Sequence, residues 1–316
     1  MVDYADVVAA REVLGDSVRK TPTLSATRLG DQIGVKLYHK AELFQKTGSF
    51  KVRGALNCLR HLSTNELSRG VVAVSAGNHA QGLAWAAQLV GTRCTIVMSS
   101  HASQTKLAAT RGYGANVILV DGPIHEAFAT ADRLVKEDRL VNVHGFDNPW
   151  IIAGQGTVGL EIIEQVPDVD VIVCPVGGGG LISGVALAAK AGGRKTRVYG
   201  VEPLGASAMR QSWDRGEAVQ LESVNTIADG LAPPMAGQLT YPITRKYVDD
   251  IVTLTEDEII AGVKAVLTLA KLYAEPSGAA ATAALLAGKI PIKPGEKVVA
   301  IVSGGNMDLD KLKSIL

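Results

Sequence analysis

Two stretches of the 316-residue sequence hold residue types that do chemistry, at spacings chemistry can use. The first is Val171-Ile-Val-Cys-Pro-Val-Gly-Gly-Gly-Gly-Leu181, an apolar run ending in four glycines with a helical pattern after it. Glycines let backbone amides crowd a ligand without Cβ clashes. A helix start adds free N–H donors and a partial positive charge, so the combination is a phosphate site. It is not a nucleotide P-loop, because Leu181 follows Gly180 where Lys-Ser/Thr is needed, and it fits G-x-G-x-x-G poorly. Glu202, ending a strand in Val-Glu-Pro, keeps a dinucleotide reading open, but a small phosphorylated cofactor fits better. The second stretch is Lys46-Thr-Gly-Ser-Phe-Lys51-Val-Arg-Gly-Ala55. Lys51 opens an apolar helix pattern from Val52 to Leu59. The positive helix end and partial burial both disfavour its charged form. A neutral lysine amine can form an imine, although the spacing alone equally suits a solvated helix-start lysine.

The elements that must position these residues alternate. The sequence predicts strands at Val71–Val74, Cys94–Met98, Val117–Val120, Val171–Cys174, Val198–Val201 and Val298–Val302. It predicts helices at Asn78–Val90, Ser103–Gly112, Ile124–Lys136 and Leu181–Ala191. This alternation, with nearly continuous apolar strands, implies an α/β fold of parallel sheets buried by helices on both faces. Segments rich in Gly, Pro or Asn punctuate the chain at His144–Pro149 and Asp229–Gly237, and a domain change is expected near residue 145. Ser75, Gly77, Asn78 and His79 fall where one strand ends and the next helix begins. Their amides and the serine hydroxyl can surround a carboxylate. The plainer alternatives are an N-cap at Ser75 or Asn78 and a hydrogen-bonded helix histidine with no acid–base role at His79.

The Lys46–Ala55 stretch resembles the cofactor-lysine motif of the serine/threonine dehydratase and serine racemase family, which belongs to the fold-type II, tryptophan-synthase-β-like pyridoxal-phosphate enzymes. Further blocks match in order: Ser75-Ala-Gly-Asn-His-Ala-Gln-Gly82, Ile152-Ala-Gly-Gln-Gly-Thr157, Val176-Gly-Gly-Gly-Gly-Leu181, Thr226-Ile-Ala-Asp-Gly230 and Ser303-Gly-Gly-Asn306. They span almost the whole chain. The resemblance implies pyridoxal 5′-phosphate held as a Schiff base on Lys51, with Phe50 beside the ring. It implies Asn78 on the cofactor's 3′ oxygen and Gly177, Gly178, Gly179 and Gly180 with the Leu181 amide around the phosphate. Gly230 would give a backbone contact near the ring, and Ser303 would meet the pyridine nitrogen. Ser75, Ala76, Gly77, Asn78 and His79 would take the substrate carboxylate. The implied fold has two open, mostly parallel sheets with covering helices. The smaller domain is inserted in the larger: 1–44 plus 146–316 form a large cofactor-binding domain, and 45–145 a small substrate-clamping domain.

The implied reaction is β-elimination from a threonine- or serine-like β-hydroxy amino acid, giving a 2-oxo acid and ammonia with Lys51 as general base at Cα. Ser303, a neutral hydroxyl where many such enzymes place an aspartate, implies a weaker electron sink, suited to elimination rather than transamination. Racemases of this family carry a second serine at the position of Ala76. Alanine has no exchangeable proton there, so a dehydratase is expected and a racemase or β-replacement synthase is the alternative. 3-Hydroxyaspartate or a hydroxyectoine-derived amino acid are alternative substrates. Side-chain specificity is expected from Ala76 and from the segments His144–Asp147 and Asp229–Gly237. Arg53 or Arg111 could pair a second carboxylate, although solvated arginines are the default. Some relatives bind a divalent cation through positions matching Glu202, the Ala206 carbonyl and Ala208. With alanine at the last, no metal is expected.

The formal net charge is +1 and no block of like charge stands out, which argues against nucleic-acid binding. No apolar stretch approaches the roughly 20 residues that span a bilayer. The N-terminal residues, with Asp3 and Asp6, do not read as a signal peptide. No regulatory domain is expected after Asn306. Cys58, Cys94 and Cys174 have neither zinc nor disulfide spacing. A cytoplasmic enzyme acting on a small amino acid, without membrane or nucleic-acid partners, is the expectation. The resemblance adds a homodimer or higher homo-oligomer.

Overall fold

Apolar runs become parallel strands throughout the computed structural model, which describes residues 2–316. Met1, the first residue of the expected large domain, lies outside the described residues. The strands are β1 (Thr23–Ser25), β2 (Lys36–Ala41), β3 (Val71–Val74), β4 (Cys94–Ser99), β5 (Asn116–Val120), β6 (Val141–Asn142), β7 (Val171–Pro175), β8 (Arg197–Pro203), β9 (Asp250–Leu254) and β10 (Lys297–Val302). They form a six-stranded sheet in the order β1-β2-β10-β7-β8-β9 and a four-stranded sheet in the order β5-β4-β3-β6. Only β1 runs antiparallel to its neighbour. In β7 every residue is buried, as a strand covered on both faces requires.

The six expected strands are present within two residues of their predicted ends. β1, β2, β6 and β9 were not expected. β1 and β6 are only three and two residues long. β2, Lys-Leu-Tyr-His-Lys-Ala, carries three basic side chains, two of them (His39 and Lys40) buried. A hydropathy pattern cannot announce such a strand.

Parallel strands end on the same side of a sheet, where ligands meet open α/β folds. The C-terminal ends of β3, β7 and β10 deliver Ser75, Gly177 and Ser303 to one cavity. A helix, Pro149–Gln165, sets the spacing between the two sheets' helices. On one side Gly154 lies against Gly54 of the helix Lys51–Arg60, where a Cβ would meet the Arg53 carbonyl oxygen at 2.7 Å. On the other, Gly159 lies against Ala188 of the helix Gly180–Lys190, where a Cβ would stand 2.8 Å from the alanine methyl. Gly154 and Gly159 thus fix the distance between the lysine and the glycine loop by close helix packing.

Candidate active site

Lys51 is the first residue of its helix, and the chain before it is tied to the end of β10. The Phe50 amide donates to Ser303 O (3.2 Å), the Gly305 amide donates to Gly48 O (2.9 Å), and Ser49 bridges Gly304. Gly48 has φ +73°, which glycine adopts without strain. Half-buried Lys51 projects into the cavity. Its Nζ donates to Gly145 O at 2.8 Å and makes no salt bridge among the described residues. Burial alone pushes its pKa down to about 8. Phe50 stands beside it, the ring centroid 5.3 Å from Nζ.

The cavity measures ≈ 860 Å³, enough for a cofactor and a small substrate together. Every residue expected to hold the cofactor or the substrate carboxylate lines it: Phe50 and Lys51; Ser75, Ala76, Gly77, Asn78 and His79; Gly177, Gly178, Gly179, Gly180 and Leu181; Gly230; and Ser303.

The glycine loop passes the test of a phosphate cradle. Gly179 has φ +91°, and a Cβ there would meet Met209 Cε at 2.5 Å. A Cβ on Gly178 would enter the Phe146 ring. Thr240 Oγ1 donates to Gly178 O at 2.6 Å, so in the planar peptide the Gly179 N–H turns the opposite way. The helix that follows makes its first backbone bond only at the Ser183 amide, leaving the amides of Gly180, Leu181 and Ile182 without helical acceptors. An anion at this spot completes the helix start. At the opposite end Ser303 is buried, and its hydroxyl has only a long contact to Ser277 O (3.5 Å), so its proton is free for a ring nitrogen. These residues fit pyridoxal phosphate.

Ser75 lies two residues before Gly77, the N-cap of the helix Asn78–Val90. Its Oγ accepts the Gly77 amide (3.2 Å) and the Ala80 amide (3.3 Å), capping the helix Asn78–Val90, and its hydroxyl proton remains available. Asn78 makes no cap. Its Nδ2 donates to Glu275 Oε1 (2.6 Å), and its Oδ1 accepts from Asn306 Nδ2 (2.8 Å). His79 bonds Val143 O through Nε2 (2.9 Å). A carbonyl only accepts, so Nε2 carries the hydrogen and Nδ1 is bare. Burial, with the nearby Lys51 charge, pushes its pKa down to about 3. It is a neutral, structural histidine.

The expectations for Arg53 and Asp147 need correction. Arg53 is neither solvated nor available to a substrate. It is fully buried, pairing Glu42 (2.8 Å) and Glu161 (2.6 Å). Arg111 is exposed and does not line the cavity. Asp147 turns away from the cavity and accepts the Gln238, Leu239 and Thr240 amides at the start of the helix Thr240–Tyr247. With Ala236 and Gly237 it lines a separate ≈ 230 Å³ cavity. Glu202 is buried and accepts the Met209 (2.9 Å) and Arg210 (2.8 Å) amides, a helix-start role, while burial pushes its pKa up to about 8.

Sequence reading gave no role to Glu275, Ser277, Lys106 or Lys311, all of which line the cavity, named Phe146 only within the segment His144–Asp147, and quoted Asn306 only within its motif. Glu275 precedes Pro276 at a helix start, the one local signal it carries, and that signal reads as a cap.

Comparison with known proteins agrees with this geometry. The family model for pyridoxal-phosphate-dependent enzymes matches residues 14–304. An L-threonine ammonia-lyase of Thermotoga maritima is 45% identical over 316 residues, covering 100% of this chain and 78% of its own. The structure of maize serine racemase superposes with a TM-score of 0.94 at 40% identity, covering 99% of this chain and 96% of that one. The processed threonine deaminase isoform 2 of Solanum lycopersicum gives 0.91 at 38%, covering 100% and 95%. With a lysine-bearing helix, a glycine cradle and relatives matched along its entire length, the chain belongs to the serine/threonine dehydratase and serine racemase family and is a pyridoxal-phosphate-dependent lyase.

Proposed function

We propose that the cavity eliminates water from a monocarboxylic, threonine- or serine-like β-hydroxy amino acid, releasing a 2-oxo acid and ammonia. The observation that carries this reading is the cavity amine of Lys51, bonded to a backbone carbonyl and paired with no carboxylate. Its pKa, pushed down to about 8, leaves a usable neutral fraction near neutral pH. Lys51 would hold the cofactor covalently through Nζ. The Gly177–Leu181 amides would hold its phosphate, Ser303 Oγ its ring nitrogen, Asn78 Nδ2 its 3′ oxygen, and Phe50 and Gly230 its flanks. Bound pyridoxal phosphate supplies the electron sink for the charge that develops at Cα. The Ser75 hydroxyl and the amides from Ala76 to His79 orient the substrate carboxylate. Lys51, freed when substrate binds, takes the Cα proton on one face.

Ala76 supports elimination over racemisation, because that side chain holds no proton for the other face. Kinship to a racemase structure is the specific observation that keeps the alternative in view. A substrate with a second carboxylate, such as 3-hydroxyaspartate, fits less well. Arg53 is spent on Glu42 and Glu161, and Lys106 and Lys311 are both spent on Asp229 (2.9 Å each). Incubating the enzyme with threonine, serine, 3-hydroxyaspartate and a hydroxyectoine-derived amino acid, and measuring oxo acid and enantiomer, tests this directly. Oxo acid from threonine or serine is expected, and D-amino acid without oxo acid would contradict it.

The division into 1–44 plus 146–316 and 45–145 is part of the proposal. It is supported by the strands, since the four-stranded sheet draws only on residues 71–142. Ser103 Oγ to Asp308 (2.6 Å) and Lys106 to Asp229 would then latch the small domain over the cavity. A homo-oligomer and a cytoplasmic setting belong to the same proposal. Three free, buried cysteines suit a reducing compartment. Among the described residues no helix is long and apolar enough to cross a membrane.

A further inference from the structure

Glu275 has an unusual position for a buried acid. It occupies the N-cap of the helix Pro276–Leu286, yet its side chain bonds none of that helix's amides. Its residue is only 7% exposed, and it forms no salt bridge among the described residues. The cations around it, Lys106 and Lys311, are each bonded to Asp229. The carboxylate is spent instead on Asn78 Nδ2, at 2.6 Å. Gly304 makes this approach possible, because a Cβ there would stand 2.5 Å from Glu275 Oε1 and 3.2 Å from Asn78 Nδ2.

The orientation of the Asn78 amide follows from a chain of bonds that starts at a backbone carbonyl. Thr47 O can only accept, so the Asn306 group facing it at 2.7 Å is the nitrogen. That same nitrogen lies 2.8 Å from Asn78, so the Asn78 atom there is the oxygen. Asn78 Nδ2 therefore faces Glu275, a pure acceptor when ionised. One N–H is used on Glu275, and the second remains for the cavity that Asn78 lines.

We propose that Glu275 and Asn306 are positioning residues for the cofactor, clamping the Asn78 carboxamide so that its free N–H is presented to the 3′ oxygen. This rests on the reading that Asn78 meets that oxygen. An ionised Glu275 makes a short, charge-assisted bond and fixes the amide against rotation. Without it Asn78 can turn its oxygen toward the cofactor's oxygen, and two acceptors would then face each other. In this reading Glu275 needs no contact of its own with substrate or reacting atoms. It acts through Asn78.

The test is a double-mutant cycle read on cofactor binding and absorbance, not on turnover alone. Asn78→Ala, Glu275→Gln, Glu275→Ala and the double variant Asn78→Ala/Glu275→Ala are stripped of cofactor, then titrated with pyridoxal phosphate. Melting temperatures of the stripped proteins check folding. The expected result is a roughly 10- to 100-fold weaker cofactor Kd in Asn78→Ala and in Glu275→Ala, as for other residues that orient a cofactor ligand. The double variant is expected to be no weaker than Asn78→Ala. Glu275→Gln, of the same shape, should not lower the melting temperature and should move the absorbance band of the bound cofactor. Additive losses in the double variant would overturn the proposal, because Glu275 would then act independently of Asn78. Unchanged Kd and band in both Glu275 variants, with Asn78→Ala impaired, would overturn it and leave the Asn78 reading standing. An Asn78→Ala protein with wild-type Kd and band would overturn both.

Discussion

The buried cluster of Lys40, Glu42, Arg53 and Glu161 and the cavity pair Lys51 and Glu275 use the same residue types in opposite ways. In the cluster two cations meet two anions. Arg53 is bidentate to Glu42 (2.8 and 2.8 Å) and bonds both oxygens of Glu161 (2.6 and 3.0 Å), which also takes Lys40 at 2.6 Å. Burial pushes the Glu42 carboxyl up, but Arg53 and Lys40 outweigh it and hold Glu42 below the ordinary range. Arg53, likewise opposed by burial, is held above its ordinary value by the two glutamates. In the cavity neither Lys51 nor Glu275 has an opposite charge bonded to it among the described residues. Burial dominates, and the pKa values converge, Lys51 down to about 8 and Glu275 up to about 7. Pairing holds Glu42 and Arg53 in their charged forms, although burial still pushes the paired Lys40 down, whereas burial without an ion pair brings Lys51 and Glu275 towards their neutral forms. Arg53 lies two residues from Lys51, so one helical turn joins the two regimes.

Removing the unpaired lysine should have the largest effect on activity and little on folding. Lys51→Ala is expected to lose at least about 1,000-fold in kcat, measured as 2-oxo acid release, because the proposed cofactor anchor and the proposed base would both disappear. With both proteins cofactor-free, its melting temperature should not fall below that of wild type. Removing the paired arginine should invert that pattern. Arg53→Met leaves two carboxylates buried with only Lys40 and should cost about 3–5 kcal/mol in denaturant unfolding. If Arg53→Met unfolds no more easily than wild type, the distinction between the two regions fails.

The pH dependence sharpens the comparison further. Between about 8 and 10.5 the folded state holds fewer protons on Lys51 than the unfolded state, so this group's contribution to stability rises with pH there. A cofactor-free Lys51→Met chain should therefore be more stable than wild type below pH 8, by about 1–3 kcal/mol, with the advantage vanishing towards pH 10.5. For Glu275 the folded state holds the extra proton between 4.5 and about 7, so stability falls as pH rises through that window, and Glu275→Gln should gain over wild type across it. Glu42 is depressed, so its contribution is full above 4.5 and is lost only as pH falls below that value. Urea melts at several pH values separate the three. The smallest expected effect is at the other face of the cavity. Ala76→Ser should raise D-amino acid formation from background to a minor fraction, read by chiral chromatography, and an unchanged background would count against the single-base account.

Much of this was legible in the sequence where local chemistry is self-contained. β3, β4 and β7 are apolar runs bounded by turn residues, and the glycine loop declares both its backbone freedom and its position after a strand. What stayed hidden depends on partners distant in the chain. Lys40 is buried within β2 by an ion pair with Glu161, 2.6 Å away across 121 residues, which no local pattern announces. Arg53 read as solvated for the same reason. Glu275 reads as a helix cap until Asn78 appears 197 residues away. β9 runs Asp-Ile-Val-Thr-Leu at the sheet edge, too mixed in character to stand out.

The central claim is that the unpaired amine of Lys51 holds the cofactor. The most direct measurement is borohydride reduction of the cofactor-loaded protein, followed by digestion and mass spectrometry of the peptides. The account predicts one pyridoxyl-phosphate adduct, on Lys51, and none in Lys51→Ala. An adduct carried instead by Lys106, Lys311 or another lysine, or no adduct in a protein that nonetheless releases 2-oxo acid, would contradict it.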